Sequence, residues 1–333
     1  MMNYLFSCDW GTSALRVRLL ELPTLAVLDE EYSNLGVARV HEDYKNYRLD
    51  DSEGHRTMFY AEVLRKGIES ISKRLNLFVG GVPVMLSGMA SSSIGMMELP
   101  YADLPFSVSG EKALVHRIGP IKGFNHPIML VSGLRVGDEV MRGEETQLVG
   151  ISDILGAIDA LGDSLVILPG THSKHVEVRE AAIARIDTYL TGELFAILSQ
   201  NGLIREAVEA HDRTLDGLHL KFFLEGVEDA GGDAFLGSLF KVRTNQLFGR
   251  VTKEVNYSYL SGLLIGNEVR TVLARDYPKI ILCCGSKLHA HYRQALLFLG
   301  LESKCHFIDP IEAEQATCKG QWLIAKNYVN DRD

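Results

Sequence analysis

The chain has 333 residues, 46% of them hydrophobic, five cysteines and a formal net charge of −9. This length and apolar content predict two compact domains, and the negative charge argues against a nucleic-acid-binding role. No apolar run reaches the roughly 20 residues that cross a bilayer. Because the cysteines form no CxxC pair and the start has no basic region typical of a signal peptide, we expect a reduced, soluble cytoplasmic protein without membrane contact.

The first predicted element is a β-hairpin over residues 4–19. An apolar strand ends at Asp9, and an alternating apolar strand follows a polar turn that contains Gly11, Thr12 and Ser13. Such a turn directs backbone N–H groups and two hydroxyls at one point, which suits an anion. Asp9 is placed to hold a hydrated Mg²⁺ beside that anion, although an ordinary hairpin with a polar tip fits the same pattern.

The elements up to residue 150 are predicted next. Residues 32–56 are expected to be loop with some strand, and residues 58–75 a helix. A buried strand over 83–87 leads to a small polar loop, and ligands collect at such strand ends in open α/β sheets. A further strand spans 127–131, and a helix is expected to begin within 138–150.

A second hairpin over residues 165–178 repeats the first. Its polar turn and the start of its second strand contain Gly170, Thr171, His172, Ser173 and Lys174. Two similar hairpins about half a chain apart predict two related α/β lobes that face each other and clamp a nucleotide.

The remaining elements are mostly helical. A helix is predicted to open at Thr191, much of 203–273 is helical, a buried strand covers 279–286, and helices follow at 288–299 and 313–328. The sequence contains no Walker A motif, no GxGxxG after a strand and no histidine spacing typical of a structural zinc site.

Four motifs in this order resemble the 2-dehydro-3-deoxygalactonokinase family, which belongs to the superfamily of sugar kinases, actin and heat-shock ATPases. They are DWGTS at 9–13, RGEETQ at 142–147, LPGTHSK at 168–174 and LTGELF at 190–195. The segment LSGLLIG at 260–266 and the Gly285–Ser286 turn extend the resemblance nearly end to end. His175 departs from the family, which more often has Trp at that position.

The resemblance implies an α/β fold of two ribonuclease-H-like (actin-like ATPase) lobes around a central cleft. The N-terminal lobe would comprise residues 1–133 plus 312–333, with the phosphate-1 hairpin and the sugar-acid site. The C-terminal lobe would comprise residues 134–311, with the phosphate-2 hairpin and the adenosine site. ATP and Mg²⁺ would be used to phosphorylate the C6 hydroxyl of 2-dehydro-3-deoxy-D-galactonate in galactonate degradation.

The resemblance also implies a catalytic base at the start of a helix between the lobes. Related kinases place Gly-Asp there, and this chain has Gly143-Glu144-Glu145. Glu144 ranks first as the base and Glu145 second, with Asp138 an outside candidate. Two carboxylates at a helix N-terminus also have a plain alternative explanation, a favourable interaction with the helix dipole.

Further roles follow from the resemblance and from proximity. The phosphates would be bound by Gly11, Thr12, Ser13, Gly170, Thr171, His172, Ser173 and Lys174. Adenosine would lie against Gly285, Ser286, Leu288 and Tyr292. The sugar acid would be bound by Ser87, Gly88, Ser92, Arg135, Arg142 and Glu193. Lys174 and Arg16 are alternatively solvated cations of the hairpins, and Glu193 is alternatively a helix cap.

Three other functions use the same sequence features. They are a kinase of another sugar or sugar acid, an exopolyphosphate phosphatase, and a non-catalytic ATP-binding regulator. For the kinase that the resemblance implies, the expected partner is a small-molecule sugar-acid substrate, and a homodimer is expected.

Overall fold

The computed structural model describes residues 3–47, 53–119, 121–156, 161–212, 214–232 and 234–330. The chain divides into two compact units. Unit 1 comprises Met1–Gly162, Glu180–Ala184 and Gln315–Asp333, and unit 2 comprises Asp163–Arg179 and Arg185–Glu314. The sequence predicted a boundary after residue 133, and the structure differs because residues 134–162 pack with the N-terminal unit.

Unit 1 is built on a six-stranded sheet. The first strands of the chain are β1 (Tyr4–Trp10), β2 (Leu15–Glu21), β3 (Ala26–Ser33), β4 (Val84–Gly88), β5 (Phe106–Ser107), β6 (Val115–Ile118) and β7 (Ile128–Val131). The sheet order is β3-β2-β1-β4-β7-β6. Strands β1 to β3 pair antiparallel, whereas β4 pairs parallel with β1 and with β7. The predicted first hairpin and both predicted buried strands are confirmed.

Four helices and a small hairpin complete the description of unit 1. The helices are α1 (Val37–Tyr47), α2 (Glu53–Leu75), α3 (Glu144–Ile154) and the last helix of the chain, α10 (Pro310–Asn330), which begins in unit 2. The hairpin pairs β8 (Leu134–Val136) with β9 (Glu139–Met141). Apolar side chains of the sheet and of α1 and α2 form the core.

One sequence prediction is wrong in this unit. Residues 32–56 were expected to be loop and strand, but α1 forms there by burying Val37, Val40 and Tyr44 at helical spacing within a polar sequence. The helix expected to begin within 138–150 begins at Glu144, after β9 at residues 139–141 and after Gly143, which has a φ of 103°. Asp138 lies in the exposed turn between β8 and β9.

Unit 2 contains the strands of a second sheet. The later strands are β10 (Ser164–Leu168), β11 (Ser173–Arg179), β12 (Ala182–Tyr189), β13 (Ile280–Leu282) and β14 (Cys305–Phe307). The sheet order is β14-β13-β10-β11-β12-β5, with β10 and β11 antiparallel and β13 parallel to both β10 and β14. Taken in chain order, strands β1, β2, β3, β4 and β7 of the first sheet therefore occupy the same relative places as strands β10, β11, β12, β13 and β14 of the second sheet. The prediction of two related α/β halves is confirmed.

Six helices follow the second hairpin. They are α4 (Thr191–Gln200), α5 (Gly202–Arg205), α6 (Gly217–Asp229), α7 (Phe235–Leu247), α8 (Lys253–Arg270) and α9 (Ser286–Phe298). Helices α6 and α8 pack closely because both contain glycines: a β-carbon on Gly262 would lie 2.0 Å from the Phe223 carbonyl oxygen. The segment 260–266 is thus explained by helix packing. Among the described helices, none is both long and apolar enough to span a membrane.

Candidate active site

Asp9 lies at the carboxyl end of β1, in the middle of the first sheet. It is opposite Ser87 of β4 in parallel register and opposite Arg16 of β2. Burial raises the pKa of Asp9, and the charges of Arg16 and Arg18 oppose this shift. Within the described residues the Asp9 carboxyl receives no hydrogen bond. A partly buried carboxyl without a donor is a good ligand for a cation.

The turn after β1 is held by the start of α1. Val37 N donates to the Gly11 carbonyl at 3.0 Å, and Ala38 N donates to the Thr12 carbonyl at 3.2 Å. Gly11 N closes the turn by donating to Ala14 O at 2.9 Å. Thr12 and Ser13 are exposed. The backbone of the turn is therefore fixed while its two hydroxyl side chains face solvent.

The start of α3 lies against the end of β4. A β-carbon on Gly143 would lie 3.2 Å from the Gly88 α-carbon, and one on Gly88 would lie 2.7 Å from the Trp10 carbonyl oxygen. Both glycines have positive φ, 103° and 90°. The peptide before Glu144 and the strand end next to Asp9 are thus in contact.

Glu144 and Glu145 differ in environment. Glu145 is 1% exposed, and both of its carboxyl oxygens accept from Gly143 N, at 2.8 and 3.0 Å. Burial and, secondarily, the charge of Glu144 raise the pKa of Glu145 to about 8, against hydrogen bonds that lower it. Glu144 is only partly buried and accepts from Arg142 N at 3.0 Å. At neutral pH, Glu145 is a protonated cap of α3, whereas Glu144 can be reached by a ligand.

Several predicted substrate-binding side chains are engaged within unit 1. Ser87 is fully buried and accepts from Gln321, and Ser92 is buried and donates to Met89 O at 2.7 Å. Arg142 donates to Ser91 O and Oγ at 2.7 and 2.8 Å. These side chains shape the loop after β4, because each of them already has a protein partner, although Arg142 Nε is buried without one.

Other predicted substrate-binding residues have different surroundings. Arg135 is exposed in β8 and forms an ion pair with Asp103 at 3.2 Å. Gly88 is buried and lacks a side chain, so it acts only through the close approach to Gly143. Neither residue offers an unengaged side-chain donor next to Asp9.

The sequence analysis missed Gln321 of α10. Its Nε2 donates to the Cys8 carbonyl at 2.8 Å and to Ser87 Oγ at 2.9 Å, and the residue is fully buried. The preceding Gly320 packs on α3, since a β-carbon there would lie 1.9 Å from the Thr146 carbonyl oxygen. Two adjacent residues of α10 therefore hold β1, β4 and α3 together. Only the polar Gln within an apolar stretch of the last helix could have indicated this role.

In unit 2, the turn between β10 and β11 is braced by α4. Glu193 N donates to the Thr171 carbonyl at 2.9 Å, and the Glu193 carboxyl pairs with His172 Nε2. A β-carbon on Gly192 would lie 2.4 Å from the Gly170 carbonyl oxygen. Thr171 and His172 are exposed. Glu193, predicted to bind substrate, thus contacts the second turn.

Three further predicted contacts of the nucleotide are buried. Ser173 accepts from Gly170 N at 3.4 Å, and Lys174 Nζ donates to Thr188 Oγ1 at 2.9 Å. Tyr292 is 1% exposed in the core of unit 2. Their side chains support the turn and the core, since burial removes them from the reach of a ligand.

The predicted adenosine turn has a mixed exposure. Gly285 and Ser286 are exposed between β13 and α9, and Leu288 is partly buried against the core. A strand end followed by a helix start leaves backbone N–H groups available there. The exposed part of this prediction is therefore compatible with a ligand, whereas Tyr292 is buried in the core of unit 2.

A metal ion would have few protein ligands. No group of three or more His, Cys, Asp or Glu side chains in the described ranges could hold one. Mg²⁺ is commonly held by one or two carboxylates together with phosphate oxygens and water. Asp9, with its unbonded carboxyl, fits this arrangement.

Comparison with known proteins gives consistent matches. The profile of the 2-keto-3-deoxy-galactonokinase family matches residues 9–324. The 2-dehydro-3-deoxygalactonokinase of Escherichia coli (strain K12) is 33% identical over 231 residues, 66% of this chain and 72% of that protein. The "Probable 2-dehydro-3-deoxygalactonokinase DgoK1" of Rhizobium meliloti (strain 1021) is 30% identical over 322 residues, 94% and 95% of the two chains.

Solved structures agree with these matches. A crystal structure from Sinorhizobium meliloti, of a protein assigned as a 2-dehydro-3-deoxygalactonokinase, has a TM-score of 0.76 and 27% identity, and covers 97% of this chain and 96% of its own. The ADPNP-bound activator of 2-hydroxyisocaproyl-CoA dehydratase from Clostridium difficile has a TM-score of 0.50 at 9% identity, covering 99% and 97%. The second likeness concerns the fold alone and confirms the predicted actin-like ATPase class.

Proposed function

The chain belongs to the 2-keto-3-deoxy-galactonokinase family, so it is an ATP-dependent carbohydrate kinase of galactonate catabolism, and we propose that it phosphorylates the C6 hydroxyl of 2-dehydro-3-deoxy-D-galactonate. The contact between Gly143 and Gly88 carries the proposal. It brings the helix start that bears Glu144 to the strand end that bears Asp9, both within unit 1. A carboxylate base and a cation-binding carboxylate are the two groups that phosphoryl transfer to an alcohol requires.

Glu144 is the proposed base. Its carboxyl is partly exposed, so it can accept the proton that the attacking hydroxyl loses as the new O–P bond forms. Glu145 cannot take this role at neutral pH, since its raised pKa keeps it protonated and its oxygens face Gly143 N. Its buried carboxyl instead caps α3 and holds the helix start in place.

Asp9 is the proposed residue for Mg²⁺. The ion would neutralise charge on the transferred phosphoryl group when it is bound. The backbone of Asp9 is held in place by the pairing of β1 with β2 and β4. The neighbouring turn offers the exposed Thr12 and Ser13 hydroxyls to phosphate oxygens.

The nucleotide is proposed to contact unit 2 at two places. Gly170, Thr171 and His172 of the braced turn would meet phosphate oxygens, and Gly285 with Ser286 would lie against adenosine. Both are backbone turns at strand ends with exposed polar groups. A cytoplasmic location and a homodimer remain predictions.

The first experiment is a substrate panel. Release of ADP is measured with 2-dehydro-3-deoxygalactonate, its C4 epimer, neutral hexoses, polyols and polyphosphate. Turnover confined to the first compound, with phosphorus–proton coupling at C6 in the NMR spectrum of the product, supports the proposal. Turnover with a different sugar overturns the substrate, and coupling at another carbon overturns the position.

The base is tested by substitution. We expect Glu144→Gln to lower kcat about 10²- to 10⁴-fold with little change in the KM for ATP. Asp138→Asn, which alters the exposed turn before β9, is the control and is expected to retain wild-type kcat. Full turnover by Glu144→Gln would remove this residue as the base.

A further inference from the structure

The carboxyl group of Glu268 lies at the centre of a buried polar cluster in unit 2. Glu268 belongs to α8 and is 2% exposed. Tyr292 OH of α9 donates to its Oε2 at 2.8 Å, and Thr191 Oγ1 at the start of α4 donates to the same oxygen. His175 Nε2 of β11 lies 3.1 Å from the other oxygen. One side chain thus contacts groups from three other elements.

The cluster continues to the turn between β10 and β11. Tyr292 OH donates its single hydrogen to Glu268, so its oxygen accepts from Ser173 Oγ, which lies 2.9 Å away. Ser173 Oγ in turn accepts from Gly170 N at 3.4 Å. A directed chain of hydrogen bonds therefore runs from the backbone of the turn to Glu268.

The same cluster reaches each element of unit 2 in the proposed nucleotide site. Ser173 and His175 follow the turn, Thr191 precedes Glu193, and Tyr292 lies on the helix that begins at Ser286. A buried carboxyl group gains little stability over an apolar side chain of similar volume. The carboxyl group instead fixes the relative positions of the groups that are hydrogen-bonded to its two oxygens.

We propose that Glu268 is a positioning residue for nucleotide binding. It fixes the position of the turn between β10 and β11 relative to the starts of α4 and α9. This inference rests on the proposed function, since it assumes that these elements bind the nucleotide. Glu268 does not touch the ligand. It acts through Tyr292, Thr191 and Ser173, and it gives a role to the buried Tyr292 on the helix that begins at the proposed adenosine turn.

Two tyrosines allow a matched test. Tyr292 and Tyr259 are 1% and 0% exposed, and each donates its phenol hydroxyl to a carboxyl group: Tyr292 to Glu268 at 2.8 Å and Tyr259 to Asp229 at 2.6 Å. Tyr292→Phe and Tyr259→Phe therefore remove the same atom from two buried rings in the same unit. Only the first change interrupts the chain of hydrogen bonds to the turn.

Binding of ADP with Mg²⁺ is measured by titration calorimetry, and the KM values for both substrates by kinetics. We expect Tyr292→Phe to weaken ADP binding about five- to tenfold and to raise the KM for ATP similarly, with the KM for the sugar acid unchanged. Tyr259→Phe is expected to bind ADP like the wild type. Thermal unfolding of both variants is measured beside binding, so that a loss of stability is distinguished from a loss of affinity.

Thr191→Val is the second variant, because it removes the α4 donor without changing a ring. It is expected to weaken ADP binding by a similar factor, and it decides the matter if Tyr292→Phe does not fold. Wild-type affinity in the folded variants, with ADP bound by the wild type, overturns the positioning role alone. Failure of the wild-type protein to bind ADP overturns the proposed function and with it this inference.

Discussion

Gly143 lies directly against Gly88 in unit 1, so that a β-carbon on Gly143 would stand 3.2 Å from the Gly88 α-carbon. Gly88 follows Ser87, the parallel partner of Asp9. Gly143 precedes Glu144, the first residue of α3. The distance between the two proposed functional carboxylates is thus set through a backbone contact that only glycine permits.

The first prediction concerns this contact. Gly143→Ala adds a methyl group at a φ of 103° and against Gly88, so we expect a stability loss of about 1–2 kcal/mol and at least a tenfold loss of kcat. The measurements are thermal unfolding and steady-state kinetics. Gly137→Ala is the control, because Gly137 also has a positive φ of 61° but no atom within 4 Å of the added carbon. Equal kcat values for the two variants would contradict the prediction.

The second prediction concerns Glu145 and pH. Burial and the charge of Glu144 raise the pKa of Glu145 from 4.5 to about 8. The folded protein therefore binds a proton that the unfolded chain releases, and the free energy of unfolding decreases as pH rises from about 4.5 to 8. Glu145→Gln remains neutral throughout. We therefore expect its free energy of unfolding, measured by urea denaturation, to decrease less than that of the wild type between about pH 5.5 and pH 8 (an interval inside that range).

Some pH dependence remains in Glu145→Gln, because burial also raises the pKa of Asp9 and acts in the same direction. Glu42→Gln removes an exposed carboxyl of α1 and is the control for loss of one acidic residue. It is expected to keep the wild-type slope. If Glu145→Gln also keeps that slope, Glu145 is not the buried protonated group.

The third prediction concerns Gln321. Gln321→Leu removes the donors to the Cys8 carbonyl and to Ser87 Oγ, so we expect about 1–3 kcal/mol of destabilisation and a lower kcat. Asn327→Leu on the same helix removes a donor to the Ser109 carbonyl at 3.2 Å and is expected to leave kcat unchanged. Calorimetric unfolding and kinetics give both quantities. The proposed link between α10 and the site does not stand if the two variants have the same kcat.

The fourth prediction concerns the start of α4. Gly192→Ala places a methyl group 2.4 Å from the Gly170 carbonyl oxygen. To relieve this clash, either the turn between β10 and β11 or the start of α4 must move. We expect a higher KM for ATP, measured at saturating sugar acid. Gly237→Ala in α7 has only an ordinary contact at 3.6 Å and is expected to be neutral or slightly stabilising. An unchanged KM in a folded Gly192→Ala variant would disprove the bracing of the turn.

Patterns of a few residues predicted much of the fold. Both hairpins, the buried strands and the last helix follow from alternating or helical spacing of apolar side chains, and the structure confirms them. The helix α1 was missed because its three buried residues are separated by charged ones. The start of α3 was predicted only within 138–150, because the positive φ of Gly143 and its packing against Gly88 have no periodic signal.

The residues of the proposed site can likewise be divided into those that the sequence predicted and those that it did not. Asp9, Thr12, Thr171 and His172 lie at strand ends or turns, as the sequence predicted, since a turn is determined by its own residues. The burial of Tyr292, the protonation of Glu145 and the contacts of Gln321 were not predictable. Gln321 and Ser87 are 234 positions apart, so their hydrogen bond exists only because α10 packs on unit 1.

The two hairpins, their polar turns and the family to which the chain belongs can be recognised from the amino-acid sequence, because they are encoded in short contiguous motifs. Tertiary packing, in contrast, determines which carboxyl group is buried and which is accessible, and which buried polar side chains support the site. The reason is physical: burial, pKa and hydrogen-bond partners depend on neighbours that are distant in the chain. Glu144 and Glu145 are adjacent in sequence, yet packing leaves one accessible and buries the other.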